Sequence, residues 1–232
     1  MPYPWTYDEN IQVGTDYADV QEVLAYDRDM ASLRDVAAEV EIVANALLLD
    51  ADSTVWEIGT GTGEMALGLA ARCSRVWATD VSPAMLEAAR KKASARGLLN
   101  AAFGSGGFLD GFSPDHTVDG VVTQLALHHL PDFWKVAALR RIRSFLAPEG
   151  RLFLKDVVFR GDLVDYDGFF SDVVDQLRAT AGNRVAGNTI AHIREEYSTF
   201  DWILEEMLAR TGFRIVDKVA HGFPTDYTCV AT

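Results

Sequence analysis

Cysteine is scarce in this chain. The two in 232 residues, Cys73 and Cys229, form neither a metal-ligand spacing nor a disulfide framework. A small disulfide-stapled secreted domain is excluded, and a reducing, cytoplasmic setting is expected. Basic residues are also few, with 21 Lys and Arg against 34 Asp and Glu and a net charge of −13. The longest basic cluster is Arg90-Lys91-Lys92, so the field opposes a nucleic acid backbone and no nucleic acid partner is expected. Long apolar runs are missing too. Ile42 to Leu49 falls far short of a membrane span, and Met1-Pro2-Tyr3-Pro4-Trp5 lacks the basic and apolar pattern of a leader, so no membrane association is expected.

What remains is a chain with 49% hydrophobic residues, long enough for one substantial α/β domain and short for two. Its most informative stretch is Val55-Trp56-Glu57-Ile58-Gly59-Thr60-Gly61-Thr62-Gly63-Glu64. The first residues favour a buried strand, and the glycines strip β-carbons from a turn that a ligand can approach. Ala66, Leu67, Leu69 and Ala70 then recur at helical spacing, which aims the amides of a helix N-terminus at the same crevice. Read from Gly61, the residues satisfy the GxGxxA dinucleotide fingerprint, with Asp80 about twenty positions on. Read from Glu57, they give acid-x-Gly-x-Gly-x-Gly. A carboxylate beside the turn suits a cationic ligand and repels a phosphate.

Further along, Arg75 to Asp80 reads as a second strand ending in an acid that can accept both hydroxyls of a ribose. Ser82 and Pro83 then cap a helix that runs to Gly97. A third strand leads into Phe103-Gly104-Ser105-Gly106-Gly107-Phe108. Val118 to Thr123 forms a fourth, entering Gln124-Leu125-Ala126-Leu127-His128-His129-Leu130-Pro131-Asp132. An amphipathic helix follows, closed by Ala147-Pro148-Glu149-Gly150, and Arg151 to Phe159 is a buried strand with Asp156 inside it. Two helical segments interrupt the alternation, one through Phe169, Val173 and Leu177 and, after the polar break Ala181-Gly182-Asn183, a second from Ile190 to Glu196. A last helix is predicted from Ser198 or Thr199 to Arg210, and two strands, 213–219 and 226–231, pair through a turn with Gly222 and Pro224.

In this order and spacing, the pieces from about 50 to 160 and the closing hairpin resemble the class I S-adenosylmethionine (SAM)-dependent methyltransferases. The likeness is to the small-molecule group that includes ubiquinone and menaquinone biosynthesis enzymes (type 11). It implies a single domain with a three-layer, Rossmann-like α/β fold and a seven-stranded, mostly parallel sheet of order 3-2-1-4-5-7-6 whose last strand is antiparallel. Residues 1–50 would form a helical cap carrying Tyr17, Tyr26, Arg28 and Arg34, and 161–198 a helical lid with Tyr166, Phe169, Phe170, His192, Arg194 and Tyr197 facing the substrate.

The resemblance implies SAM as cofactor and a small-molecule acceptor methylated on O, N or C, and it leaves a homodimer open. Glu57, Gly59, Thr60, Gly61 and Gly63 would hold the methionine end, Asp80 the ribose, and Val81 and Phe108 the flanks of the adenine, with Gln124 shaping the methionine side. The family usually carries Gly-Asp after the third strand, the acid meeting the adenine amine. Here Gly107 stands in that place, and Ser105 or a backbone carbonyl is expected to accept instead. His128 is the first choice for catalytic base, with His129 and Tyr166 behind it. No metal is expected, because adjacent histidines lack the i, i+4 spacing of helix-borne ligands. Two alternatives are a SAM-binding protein without methyl transfer and a nicotinamide-dependent oxidoreductase. Against the latter, no Tyr has a Lys four positions on.

Overall fold

The computed structural model describes residues 5–11, 13, 23, 26, 27, 30, 34–222 and 224–232. Within the expected N-terminal cap, Tyr17, Val20, Leu24 and Arg28 lie outside the described residues. Helix α1 (Val36–Ala46) starts where the Asp35 side chain accepts from the Ala38 amide at 3.0 Å. Strand β1 (Thr54–Ile58) then runs through the glycine turn into α2 (Glu64–Ala70). β2 (Arg75–Asp80) is followed by α3 (Pro83–Ala95), whose cap is Ser82, accepting from the Met85 amide at 3.2 Å with Pro83 in the first turn.

After β3 (Ala101–Ser105) and β4 (Val118–Gln124), the chain makes a 3₁₀ turn at Leu127–His129 and enters α4 (Asp132–Phe145). β5 (Leu146–Phe159) begins earlier than predicted. Leu146 already pairs with Val118, and the Pro-Gly turn is accommodated where the register shifts before Gly120 meets Arg151, with Glu149 at φ 61°.

The lid is one 30-residue element, α5 (Tyr166–Glu195), broken at Gly182, where φ 87° and ψ 174° leave the helical region. The break falls where the sequence placed it, but the second segment starts directly after it and not near Ile190. The predicted cap at Ser198 or Thr199 is corrected. Thr199–Phe200 forms a short strand, β6, on the end of β5, and α6 (Asp201–Arg210) starts after it with no side-chain cap. β7 (Phe213–Ala220) and β8 (Pro224–Ala231) complete the chain.

The strands lie in the order β3-β2-β1-β4-β5-β8-β7, with β6 off this path. Without the two-residue β6 this is the expected 3-2-1-4-5-7-6. β1 to β5 are parallel, and β8 runs antiparallel to both β5 and β7. Because side chains alternate across a strand, each strand feeds two cores. Trp56, Ile58, Trp77, Val121, Leu152 and Leu154 pack with α4 and α6 on one face. Val55, Val76, Ala78, Val122 and Phe153 pack with α1 and α2 on the other. Two buried faces explain why these strands read as near-continuous apolar runs. Among the described residues no helix is long and apolar enough to cross a membrane.

The sheet order reverses between β1 and β4. In an open parallel sheet, ligands settle at that switch point, outside the carboxyl ends of the strands.

Candidate active site

A cavity of about 630 Å³ opens at the switch point. One end is built by the glycine turn and the tips of β2 and β3, the other by the loop after β4, β5 and the second half of α5.

At the first end, Gly59 and Gly61 line the cavity. Gly59 has φ 75°, and a β-carbon there would stand 2.6 Å from Ala126 Cβ, so the turn requires glycine for conformation and for space. Gly63 and Thr60 do not line the cavity. Gly63 lets the turn approach α3, since a β-carbon would stand 2.8 Å from Ala89 Cβ. Thr60 is buried and donates its hydroxyl to Glu57 Oε2 at 2.8 Å.

Glu57 therefore differs from expectation. Its carboxyl turns into the glycine loop, away from the cavity, and burial pushes it up to about 8 against the opposing hydrogen bond from Thr60. A buried acid held this way braces the turn.

Asp80 lines the cavity at the tip of β2. Its Oδ2 accepts from the Gly61 amide and its Oδ1 from the Ser82 amide, each at 2.8 Å. The carboxylate thus ties the glycine turn to α3, and each oxygen keeps an acceptor position. Burial raises its pKa against these backbone bonds. Beside it, Val81, Met85, Gly107 and Phe108 form a slot. Ser105 is exposed and does not line the cavity, so the expectation that it replaces the acid absent at Gly107 is corrected.

A carboxylate does occupy that place, brought from the other end of the chain. Glu9 accepts from the amides of Phe108 at 2.6 Å and Leu109 at 2.7 Å. A β-carbon on Gly107 would meet its Oε2 at 2.5 Å. Glycine at 107 and the acid at 9 are thus one arrangement. Arg141 completes it, donating to the Gly107 and Phe108 carbonyls at 3.2 Å while its guanidinium lies 4.9 Å from the Trp56 ring centroid.

Gln124 closes this half. Its Oε1 accepts from Arg34 Nη2 at 2.5 Å, and Arg34 also donates from Nε to both oxygens of Glu39, at 3.1 and 2.9 Å. Lys155 reaches Glu39 Oε1 at 3.1 Å. Arg34, Glu39, Gln124, Lys155 and Tyr26 all face the cavity.

At the second end, His128 is almost fully buried and fixed on both sides. Its Nδ1 pairs with Asp156 Oδ1, its backbone amide donates to Asp156 Oδ2 at 2.9 Å, and its Nε2 lies 3.1 Å from Glu196 Oε2. Glu196 Oε2 also pairs with Nδ1 of His192, whose Nε2 lies 2.8 Å from Ser198 Oγ. Burial opposes a charge on His128, but the Asp156 carboxylate and then Glu196 outweigh it, pushing the ring up to about 9. Burial and the neighbouring His128 pull His129 down to about 4. Burial also opposes the charge on Glu196, yet the two imidazoles hold its carboxyl well below the usual range. His128, His129, His192 and Glu196 all line the cavity.

Tyr166 is not brought to them. It is 42% exposed and lines a separate hollow with Phe159, Phe170, Ile193 and Phe200. The lid's cavity face is instead Leu177, Arg184, Val185, Asn188, Thr189, His192 and Glu196, a helical stripe in which only His192 was singled out. Arg194 and Tyr197 are exposed. The residues that sequence reading missed are Glu9, Glu196 and the role of Asp156. Two signals were available, an acid inside an apolar strand and the i, i+4 spacing of His192 and Glu196.

The family model described as a methyltransferase domain matches residues 55–150. An uncharacterized methyltransferase of Geobacillus sp. (strain WCH70) is 27% identical over 203 residues, 88% of each chain. Another, from Bacillus subtilis (strain 168), is 26% identical over 90% of this chain and 85% of its own. Among solved structures, a SAM-dependent methyltransferase from Aquifex aeolicus superposes with a TM-score of 0.65 at 19% identity, over 92% of this chain and 99% of that one. A DhpI complex with S-adenosylhomocysteine (SAH) gives 0.63 at 23% identity, over 91% and 92%. These structures share the fold, and the matched family segment begins on the strand that carries the glycine turn. With the antiparallel β8 that closes the sheet, the chain carries a methyltransferase domain over residues 55–150 on the fold of the SAM-dependent methyltransferases.

Proposed function

We propose that this enzyme transfers the methyl group of SAM to an oxygen, nitrogen or carbon atom of a small-molecule acceptor. The observation that carries this reading is a single cavity that joins the glycine turn and Asp80 to an end walled by histidines. Its volume lies in the range of small-molecule sites. The first end fits the cofactor chemically. It offers bare backbone at Gly59 and Gly61, and the spare acceptor positions of Asp80 suit a ribose diol. Val81, Met85 and Phe108 give apolar faces for the base, and the Glu9 carboxylate accepts from its amine. Arg34 with Gln124 and Glu39 supplies the paired charges that an amino acid zwitterion needs. When bound, SAM supplies a methyl group already activated on sulfur.

The chain's own task is then to align the acceptor, exclude water and take up a proton where the acceptor carries one. The wall of His128, His129 and Glu196 meets the acceptor atom. Tyr166, facing another hollow, takes no part. Leu177 and Val185 on α5 give this end a partly apolar character that suits a partly hydrophobic acceptor.

Equilibrium binding tests the cofactor half. SAH should bind with micromolar affinity, and Asp80→Ala should weaken it at least tenfold, whereas unchanged affinity in that variant removes the proposed ribose contact. A labelled-methyl screen over phenols, amines and quinone precursors tests the transfer. Binding without any transfer would leave a SAM-binding protein.

A further inference from the structure

We propose that His128, His129 and Glu196 form a binding site for one divalent transition-metal cation in the acceptor end of the cavity. One ligand atom from each lies within 4.8 Å of the other two. His128 Nε2 and Glu196 Oε2 are 3.1 Å apart. An ion held at about 2.1 Å by each ligand separates neighbouring donors by roughly 3.0–3.4 Å, so these two already stand at ligand spacing. The half-buried His129 offers the third ligand atom, within 4.8 Å of both.

The groups behind the donors support the same assignment. Asp156 holds His128 at Nδ1, which turns Nε2 toward Glu196, the carboxylate-histidine arrangement that orients a metal ligand. His192, one helical turn before Glu196, pairs with the same carboxylate oxygen and is itself steadied by Ser198. Three of the chain's five histidines thus gather around one acid. Among the described residues no lysine or arginine pairs with Asp156 or Glu196, so imidazoles alone face these two buried carboxylates, and a cation bound at Nε2 would take the place of a proton there.

Two imidazoles and one carboxylate favour Zn²⁺, Co²⁺ or Fe²⁺ over Mg²⁺ or Ca²⁺, which prefer all-oxygen shells. Three protein ligands leave coordination positions open. All three residues line the cavity, so those positions face the space of the acceptor, where an acceptor oxygen can bind.

Co²⁺ alone is the probe, and neither SAM nor an acceptor is needed, so the outcome is independent of the methyl-transfer reading. Metal-stripped full-length protein is titrated with Co²⁺, reading visible ligand-field absorption and calorimetry. One equivalent is expected to bind with a visible band that Zn²⁺ displaces. Glu196→Gln and His129→Ala should each weaken binding at least a hundredfold, and Asp156→Asn ten- to a hundredfold, with unchanged far-ultraviolet circular dichroism. His116→Ala, which removes an exposed histidine, should leave binding unchanged. Should Glu196→Gln fail to fold, the half-buried His129→Ala decides. Binding only at millimolar Co²⁺, an affinity indifferent to Glu196→Gln and His129→Ala, or a loss in His116→Ala would each overturn the assignment.

Discussion

The two ends of the cavity are built differently. The proposed cofactor end is framed by the tips of consecutive strands, at Gly59, Gly61, Asp80 and Val81, with Glu9 and Arg34 added from the N-terminal segment. The acceptor end is assembled from side chains far apart in sequence. His128 meets Asp156 from a neighbouring strand and Glu196 from the end of the lid, whose helix is broken at Gly182. A backbone site demands particular residues at fixed spacing, whereas a side-chain site can be met from many positions. One loop therefore serves a common ligand while the other end can change with the acceptor.

The largest expected effect lies in the backbone-built end. Gly59→Ala forces a β-carbon to 2.6 Å from Ala126 at a positive φ, and should destabilise the fold by about 2–4 kcal/mol and abolish SAH binding. Thermal denaturation and calorimetry measure both. A stable, SAH-binding Gly59→Ala would mean that this end is not fixed by its backbone.

A smaller effect tests whether a remote side chain can join that end. Glu9→Ala should weaken SAH by about 1–2 kcal/mol, and Gly107→Asp alone should also weaken it, because the new side chain collides with Glu9. Combining the two should restore much of the affinity, since the acid is returned to the place the first substitution emptied. Simple additivity in this double-mutant cycle would show the two positions to be uncoupled.

The third effect is pH-dependent. Glu57 holds its proton to about 8 in the folded chain, against an ordinary value of 4.5. Between those values the folded state binds more protons than the unfolded state, so its contribution to stability falls as pH rises. Glu57→Gln should therefore gain stability relative to the parent between pH 5 and pH 8, on the order of 1 kcal/mol or more. Denaturant midpoints at the two values measure it, and a parallel shift at both would argue against a buried, protonated Glu57.

Smallest is Tyr166→Phe. Facing its own hollow, it should alter methyl-transfer kcat and KM by less than about twofold. A larger loss of kcat would place the lid's first turn at the reacting atoms.

Much of this was legible along the chain. The apolar runs of β1, β2, β4 and β5, the Ser82-Pro83 cap, the Gly182 break and the strand order followed from local patterns or from the resemblance they supported. The errors share one cause. Glu57 was read as facing a ligand because it ends a strand, but its rotamer turns it into the loop, where Thr60 and burial hold it. Ser105 or a backbone carbonyl was expected to stand in for the acid at 107, both local in sequence, whereas Glu9 is near only in space. His128 read as a free base until Asp156 and Glu196 were found against its two nitrogens.

The sequence by itself determined the alternation of strands and helices, the glycine turn and the acid at the tip of β2. Each of these depends on φ/ψ preference, side-chain period and residues a few positions apart. Only the tertiary structure decided which carboxylates face the cavity, what stands where Gly107 lacks a side chain, and how histidines 128 and 192 share one glutamate. Those outcomes depend on where distant segments are brought within a few ångströms, which local preference does not encode.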